Sequence, residues 1–459
     1  MTNNSVFDEL INIAGWGNGF DEQVTITGHD PVLPTRFQIG ETIAGVHAAC
    51  GVAVSKLWQL KTGCQQQIAI DVRAATASLQ GHQYLKINGE EEGYTYPSWG
   101  FRATRDGRWL YVHGYERQRV LKLLGCEDDP EAVTEAVSNW DSQALEDAIA
   151  EAGLCGAVAR SAEEWAEHPQ GIILQKLPVV EVIKIGDSPP EPLPSGNRPL
   201  SGIRVLDLTI ILAGPICGRT LAEHGADVLR IFPTNRKPLL GRSFDIETGH
   251  GKRSAFFNLL EDSDGEKLWA LIREADVFSQ SYRLGALARK GFSPEAVAEA
   301  RPGIIYSSIS CYGHEGPWKE RRGWEQLGQT VSGLAQEEGL ETPRLLPAAI
   351  TDYTTGYLGA FGTLVALERR AREGGSYLVR ASLTQSGMLH YRQGRIPMEE
   401  WWGLERMLPP EEISRLVVET DTSFGRVTHL APVLQLSETP PQWSLPIVPL
   451  GTHEPVWLD

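Results

Sequence analysis

Asp352 stands immediately before YTTGYLGAFGTLVALERRAREGG, a helical pattern with small residues on one face, a basic last turn and closing glycines. From spacing alone an aspartate here reads as a helix N-cap, its side chain satisfying backbone N–H groups that lack partners in the first turn. The same place suits a nucleophile. A helix N-terminus offers N–H groups and a positive field to oxygens that gain negative charge when a carboxylate attacks a thioester. Glu41 occupies a weaker copy of this pattern. Laying it on Asp352 without gaps matches GETIAGVHAACG to TDYTTGYLGAFG, with Gly45 on Gly356, Ala49 on Ala360, Gly51 on Gly362 and Gly63 on Gly374. We read this as an internal repeat. Glu41, one methylene longer and a poorer cap, reads as non-nucleophilic.

Composition narrows what else the chain does. Its 459 residues exceed what one simple core organises, so two or three domains or one large interleaved body is expected. With 41% hydrophobic and 22% charged residues, and no apolar run near the ~20 residues of a membrane helix, it reads as a soluble globular protein. The ends, MTNNSVFDEL and EPVWLD, match no leader, retention or lipidation pattern, which makes the cytoplasm the expected compartment. The net charge of −17 opposes nucleic acid and anionic membranes as partners, so an anionic ligand requires a local basic pocket. Cys50, Cys64, Cys126, Cys155, Cys217 and Cys311 fall without CxxC or Cys/His spacing, which predicts reduced, mostly buried thiols and neither a disulfide framework nor a metal site.

The elements that must position Asp352 follow a clear boundary, the proline-rich GDSPPEPLPSGNRP from Gly186 to Pro199. Beyond it IRVLDLTIILAGPICGRTLAEHGADVLRIF predicts a strand from Ile203 to Thr209, a turn with Gly214 and Pro215, a helix and a second strand. Strands and helices go on alternating, through a helix near Asp264 to Ala275 and a strand from Ile304 to Ser310. The pattern predicts an α/β fold: a doubly wound, mostly parallel, Rossmann-like sheet with a smaller α+β domain. The smaller domain begins near Tyr94, with a hairpin at Asp106 and Gly107 followed by two helical stretches. The expected organisation is residues 1–90 as the degenerate repeat, 91–185 as the small domain, 186–200 as linker, 201–390 as the large domain and 391–459 as a C-terminal return to it. LAGPICG lacks GxGxxG spacing, which argues against a nicotinamide.

Five stretches between Val205 and Leu367, VLDLTIILAGPICGRTLAEHGADVLRI, GKRSAFFNL, ADVFSQSYRLGALARKGF, PGIIYSSISCYGHEGP and TDYTTGYLGAFGTLVAL, resemble family III CoA-transferases in that order. The resemblance implies that Asp352 is the nucleophile of an enzyme that moves CoA from an acyl-CoA donor to a carboxylic acid. The path runs through an aspartyl anhydride and an aspartyl-CoA thioester, with coenzyme A as the only cofactor and no metal. It implies contacts to CoA from Leu212, Ala213, Gly214, Ser281, Tyr282, Arg289 and Arg322, with Lys252 and Arg253 as further cations. Glu325 matches a glutamate that lines the acyl site in formyl-CoA-transferase-like members. The family also includes racemases, so racemisation or isomerisation of an acyl-CoA is the alternative activity; the racemase histidine falls on Trp324 here, which leaves that exchange one base short. A rearranged relative that has lost transfer chemistry is a third reading.

The chain also departs from the family pattern. Phe232-Pro233-Thr-Asn-Arg-Lys replaces a Glu-Pro stretch followed by Gly-Asp, no glycine-rich flap is present, and a small-domain segment precedes the large domain rather than following it. The C-terminal PIVPLGTHEPV resembles the family's closing segment. The resemblance further implies an interlocked homodimer.

Overall fold

The computed structural model describes residues 4–17, 19–93, 98–234 and 242–458. Tyr94 at the expected start of the hairpin segment, and Asn235 to Lys237 of the altered stretch, lie outside them. Seven strands form the main sheet: β1 Val180–Gly186, β2 Arg204–Leu208, β3 Asp227–Pro233, β4 Lys252–Phe257, β5 Val277–Gln280, β6 Ile305–Ser310 and β7 Ser376–Ser382. The helices that bear on the site are α1 Ile39–Thr62, α2 Val72–Ser78, α3 Ala213–Glu223, α4 Glu325–Val331, α5 Ile350–Glu373 and α6 Leu383–Tyr391. No helix among the described residues is long and apolar enough to cross a membrane.

The strand order is β4-β3-β2-β5-β6-β7-β1, parallel throughout except for β1 against β7. From β2 the chain steps outward through β3 to β4, then returns past β2 to β5, which is the reversal of a doubly wound sheet. Period-two alternation within the strands supplies two cores. Val205, Val228, Val277 and Ile305 lie in register facing one; Leu206, Leu229, Phe278 and Tyr306 face the other. The first core receives α1, α3 and α5. The second receives the helix Asp262–Glu274 through Leu268, Leu271 and Ile272.

Two boundaries differ from the sequence reading. Gly214 and Pro215 belong to the first turn of α3 rather than to a preceding turn; proline is tolerated there because its missing N–H would have no intrahelical partner. Strand β1, which falls inside the expected small domain, pairs with β7 in the large sheet. The small unit is therefore the three-stranded sheet Ser98–Ala103, Trp109–His113 and Gly156–Val158 with the helices Arg117–Leu124, Pro130–Ser138 and Ser142–Glu151 around their own core. Within the C-terminal segment, Val417–Thr422 and Gly425–Leu430 form a hairpin that pairs with Lys86–Ile87 in a separate sheet, and only the last, irregular stretch reaches the large sheet, where His453 N–H donates to Ser254 O of β4 at 2.7 Å.

The segments around Glu41 and Asp352 share local geometry. Helices α1 and α5 each span 24 residues, and Glu41 and Asp352 are the third residue of each. The residues before them, Gln38 (φ −76°, ψ 64°) and Ala349 (φ −80°, ψ 60°), share one backbone conformation. Both helices end at a glycine, and each leads to a strand whose last residue caps the next helix: Asp71 for α2 and Ser382 for α6. The two long helices are buried against each other in the first core.

Helix α5 also approaches the start of α3 so closely that a Cβ on Gly356 would lie 2.6 Å from Ala213 O and from Ile216 Cβ. A Gly356→Val variant is expected to lose about 2 kcal/mol by overpacking, read as a lower urea midpoint in equilibrium unfolding.

Candidate active site

The crevice outside the carboxyl ends of β2 and β5 is where a doubly wound sheet leaves room for a ligand, because the chain departs from it in opposite directions. Ile210 N–H donates to Ser281 Oγ at 3.1 Å and ties the loop after β2 to the loop after β5. A cavity of about 140 Å³ opens there, lined by Ile211, Leu212, Ala213, Gly214, Ser281 and Asp352 among others. The structure thus brings Leu212, Ala213, Gly214 and Ser281 to the nucleophile candidate. Ile211 holds φ at 71°. A β-branched residue reaches that region only against a cost of about 1–3 kcal/mol, so the surrounding contacts must impose it.

Those contacts are buried and ionic. Asp207 Oδ1 accepts from Thr209 N–H at 3.0 Å and from the Thr209 hydroxyl, while Lys252 Nζ donates to Asp207 Oδ2 at 2.8 Å and to Pro215 O at 2.7 Å. One ion pair therefore grips both ends of the loop. Burial pushes the Lys252 ammonium down to about 8, against the pull of Asp207. Arg253 pairs with Asp227 through two hydrogen bonds of 3.0 and 2.8 Å. Both cations, expected from the sequence as CoA contacts, instead form buried pairs that organise the sheet and its loop.

Asp352 is not the cap of its helix. The third residue of α5, it faces the cavity, and the cap position, Ala349, offers no side-chain acceptor. Glu325 supplies that acceptor from α4: its carboxylate takes the N–H of Thr351 at 3.1 Å, the N–H of Asp352, the Thr351 hydroxyl and the Gln329 amide. Glu325 is buried, so it holds α5 in place rather than lying on a helix surface. Burial pushes the Asp352 carboxyl well above the usual range, and the neighbouring Glu325 charge adds to the rise. Burial raises Glu325 as well, and its hydrogen bonds to Thr351, Gln329 and the Asp352 N–H oppose that rise. In the other repeat Asp30, buried, takes the Glu41 N–H at 2.8 Å, and burial raises it to about 7.

The remaining candidates lie around the crevice. Tyr282 lines an adjoining apolar cavity of about 250 Å³ with Phe232, Pro233, Phe257 and Lys290. Arg289 lies on the short helical turn Ala288–Lys290, its guanidinium folded toward Gly285. Arg322 bonds Glu116 of the small unit at 2.5 Å. Trp324 lines the Asp352 cavity and stacks on His113 of the small unit, centroids 5.1 Å apart and planes 14° from parallel. The small unit beside Asp352 thus belongs to the same chain. Sequence reasoning missed Asp207, Ile211 and Glu116. The Asp-x-Thr spacing of DLT hinted at the first; nothing in the sequence marks a left-handed isoleucine or a distant ion pair.

A family model described as CoA-transferase family III matches residues 200–399. The chain is 29% identical to the acyl-CoA transferase of Gibberella moniliformis over 520 residues, covering 94% of this chain and 90% of that relative. It is 34% identical to the acetyl-coenzyme A transferase nodX of Hypoxylon pulicicidum over 412 residues, covering 77% of this chain and 69% of the relative. The solved structure of a CAIB/BAIF family protein from Brucella suis matches 42% of this chain and 55% of its own, at 29% identity and a TM-score of 0.39.

Replacing Lys252 by Met strands the Asp207 carboxylate in the core. The expected loss is about 3 kcal/mol in urea unfolding, partly recovered when Asp207→Asn is added, the coupling that distinguishes a broken pair from two independent defects.

Proposed function

The chain belongs to the family III CoA-transferases, and we propose that Asp352 carries the transfer covalently between an acyl-CoA donor and a carboxylic acid acceptor. The observation that carries this reading is the shared cavity: Asp352, the N-terminus of α3 and the Ser281 loop line one space at the switch point of the sheet.

Asp352 Oδ attacks the thioester carbonyl carbon, the C–S bond breaks, and CoA thiolate leaves a mixed anhydride behind. The thiolate returns to the aspartyl carbonyl, expels the donor's acid as carboxylate and leaves Asp352 as its CoA thioester. The acceptor carboxylate then attacks that thioester and the two steps run in reverse, returning Asp352 as a carboxylate. Thioester energy is conserved in each acyl bond, so the cycle needs no nucleotide hydrolysis. Developing oxyanions meet the first N–H groups of α3 at Ala213 and Gly214, in a place where burial makes such dipoles effective. Glu325 positions Asp352 from behind, through the helix, and so is a positioning residue. CoA extends from the cavity past Ser281 toward the apolar space at Tyr282 and Phe232, which suits a ring better than a phosphate. None of the described residues that line the Asp352 cavity is a histidine, and Trp324 takes the place of the racemase base; both favour transfer over racemisation. The resemblance also carries the homodimer, to be measured by light scattering at micromolar concentration.

Asp352→Asn is expected to lower transfer by on the order of a thousandfold or more, while the native protein incubated with acyl-CoA gains CoA mass and gives a hydroxamate at residue 352 with hydroxylamine. Retained activity in the variant would sink the proposal.

The pH dependence follows from the raised carboxyl. Attack requires the carboxylate, so kcat/KM climbs as pH rises through the Asp352 titration. Removing the neighbouring charge with Glu325→Gln is expected to move that acid limb to lower pH, read from pH profiles of both proteins.

A further inference from the structure

The walls of the Asp352 cavity bear on which acid the enzyme takes. They are Ile210, Ile211, Leu212, Ile309, Trp324 and Leu383, with Ser281, Ser310 and Cys311 as small polar interruptions. Among the described residues that line it there is no lysine, arginine or histidine. The cation nearest along the chain, Arg322, does not line the cavity and pairs with Glu116, which also binds Arg119 and holds a left-handed φ of 59°. The volume, about 140 Å³, is well below the roughly 300–1,000 Å³ of sites that enclose drug-sized ligands.

One anion can be accommodated. The carboxylate of an acceptor acid, or the oxyanion it becomes, lies at the N-terminus of α3, whose first N–H groups have no intrahelical partner. At that stage Asp352 is esterified as a thioester and neutral, so it does not repel the incoming acid. A second carboxylate on the same molecule has no such seat. It would sit among isoleucine, leucine and tryptophan side chains, with no counter-cation among the described lining residues, and would bear both desolvation and repulsion from the buried Glu325. A long alkyl chain fails differently, for want of space.

We infer that this site takes short, apolar monocarboxylic acids and their CoA thioesters, and discriminates against dicarboxylic acids and medium or long acyl chains. The inference rests on the reading of Asp352 as the nucleophile. It deepens that reading by assigning selectivity to the wall of the cavity rather than to a charged clamp.

The test uses the native full chain with acetyl-, isobutyryl-, succinyl- and octanoyl-CoA as donors and acetate, isobutyrate, succinate and oxalate as acceptors. Intact-protein mass follows the adduct on Asp352, and steady-state kinetics follow transfer. The short monocarboxylic pairs are expected to exceed succinyl-CoA, octanoyl-CoA and the dicarboxylic acceptors by about a hundredfold in kcat/KM. A preference of less than about tenfold would overturn the inference. If succinyl-CoA modifies Asp352 as readily as isobutyryl-CoA does, the nucleophile stands and the substrate class falls. If no ester in the panel modifies Asp352, both fall.

Discussion

The structure turns on one buried carboxylate. Glu325 reaches across from α4 to accept the N–H groups of Thr351 and Asp352 at the start of α5, where the helix has no acceptor of its own. An unsatisfied helix end in a core costs several hydrogen bonds' worth of desolvation, so α5 holds its position only with this cap in place. The arrangement has an electrostatic consequence. Because the cap comes from another element, the Asp352 side chain is free to face the cavity, and because that cap is itself a carboxylate, it helps to raise Asp352. Capping falls to Glu325, and Asp352 is left to line the cavity.

The opposite wall is held by a second buried interaction. Lys252 and Asp207 grip Thr209 and Pro215, the two ends of a loop whose middle residue, Ile211, sits in a conformation it would not adopt alone. Strain of this kind persists where neighbours over-determine it. The close packing of Gly356 on Ala213 then sets the distance between the loop and α5. Two polar anchors and one missing Cβ shape the cavity, and neither anchor is among the residues that line it.

Two parts of the chain share the same local geometry. Helices α1 and α5 start alike, end alike and lead to equivalent capped helices, and they bury against each other. In both places a carboxylate from the preceding chain accepts from the start of the helix: Asp30 for α1 and Glu325 for α5. What differs is the residue beside the cap, Glu41 in one and Asp352 in the other. The small unit, placed early in the chain, reaches Asp352 through His113 and Glu116 against Trp324 and Arg322.

Much of this was legible in the residues themselves. The apolar strand from Ile203 to Thr209 and the helical stretches between strands imply a parallel sheet covered on both faces, because a strand buried on both sides carries apolar residues at successive positions. The Glu41 repeat and the loop residues Leu212 to Gly214 and Ser281 were likewise readable, since each depends on local spacing within a few turns of chain. Partners distant in sequence were not. Which charge meets Lys252, Arg253 or Arg322, and which carboxylate caps α5, depends on segments far apart along the chain that only the sheet order brings together. A lysine in a sequence looks the same whether it faces a phosphate or an aspartate. Only the tertiary structure decides, because the cost of burying a charge is met by whatever group the fold places beside it.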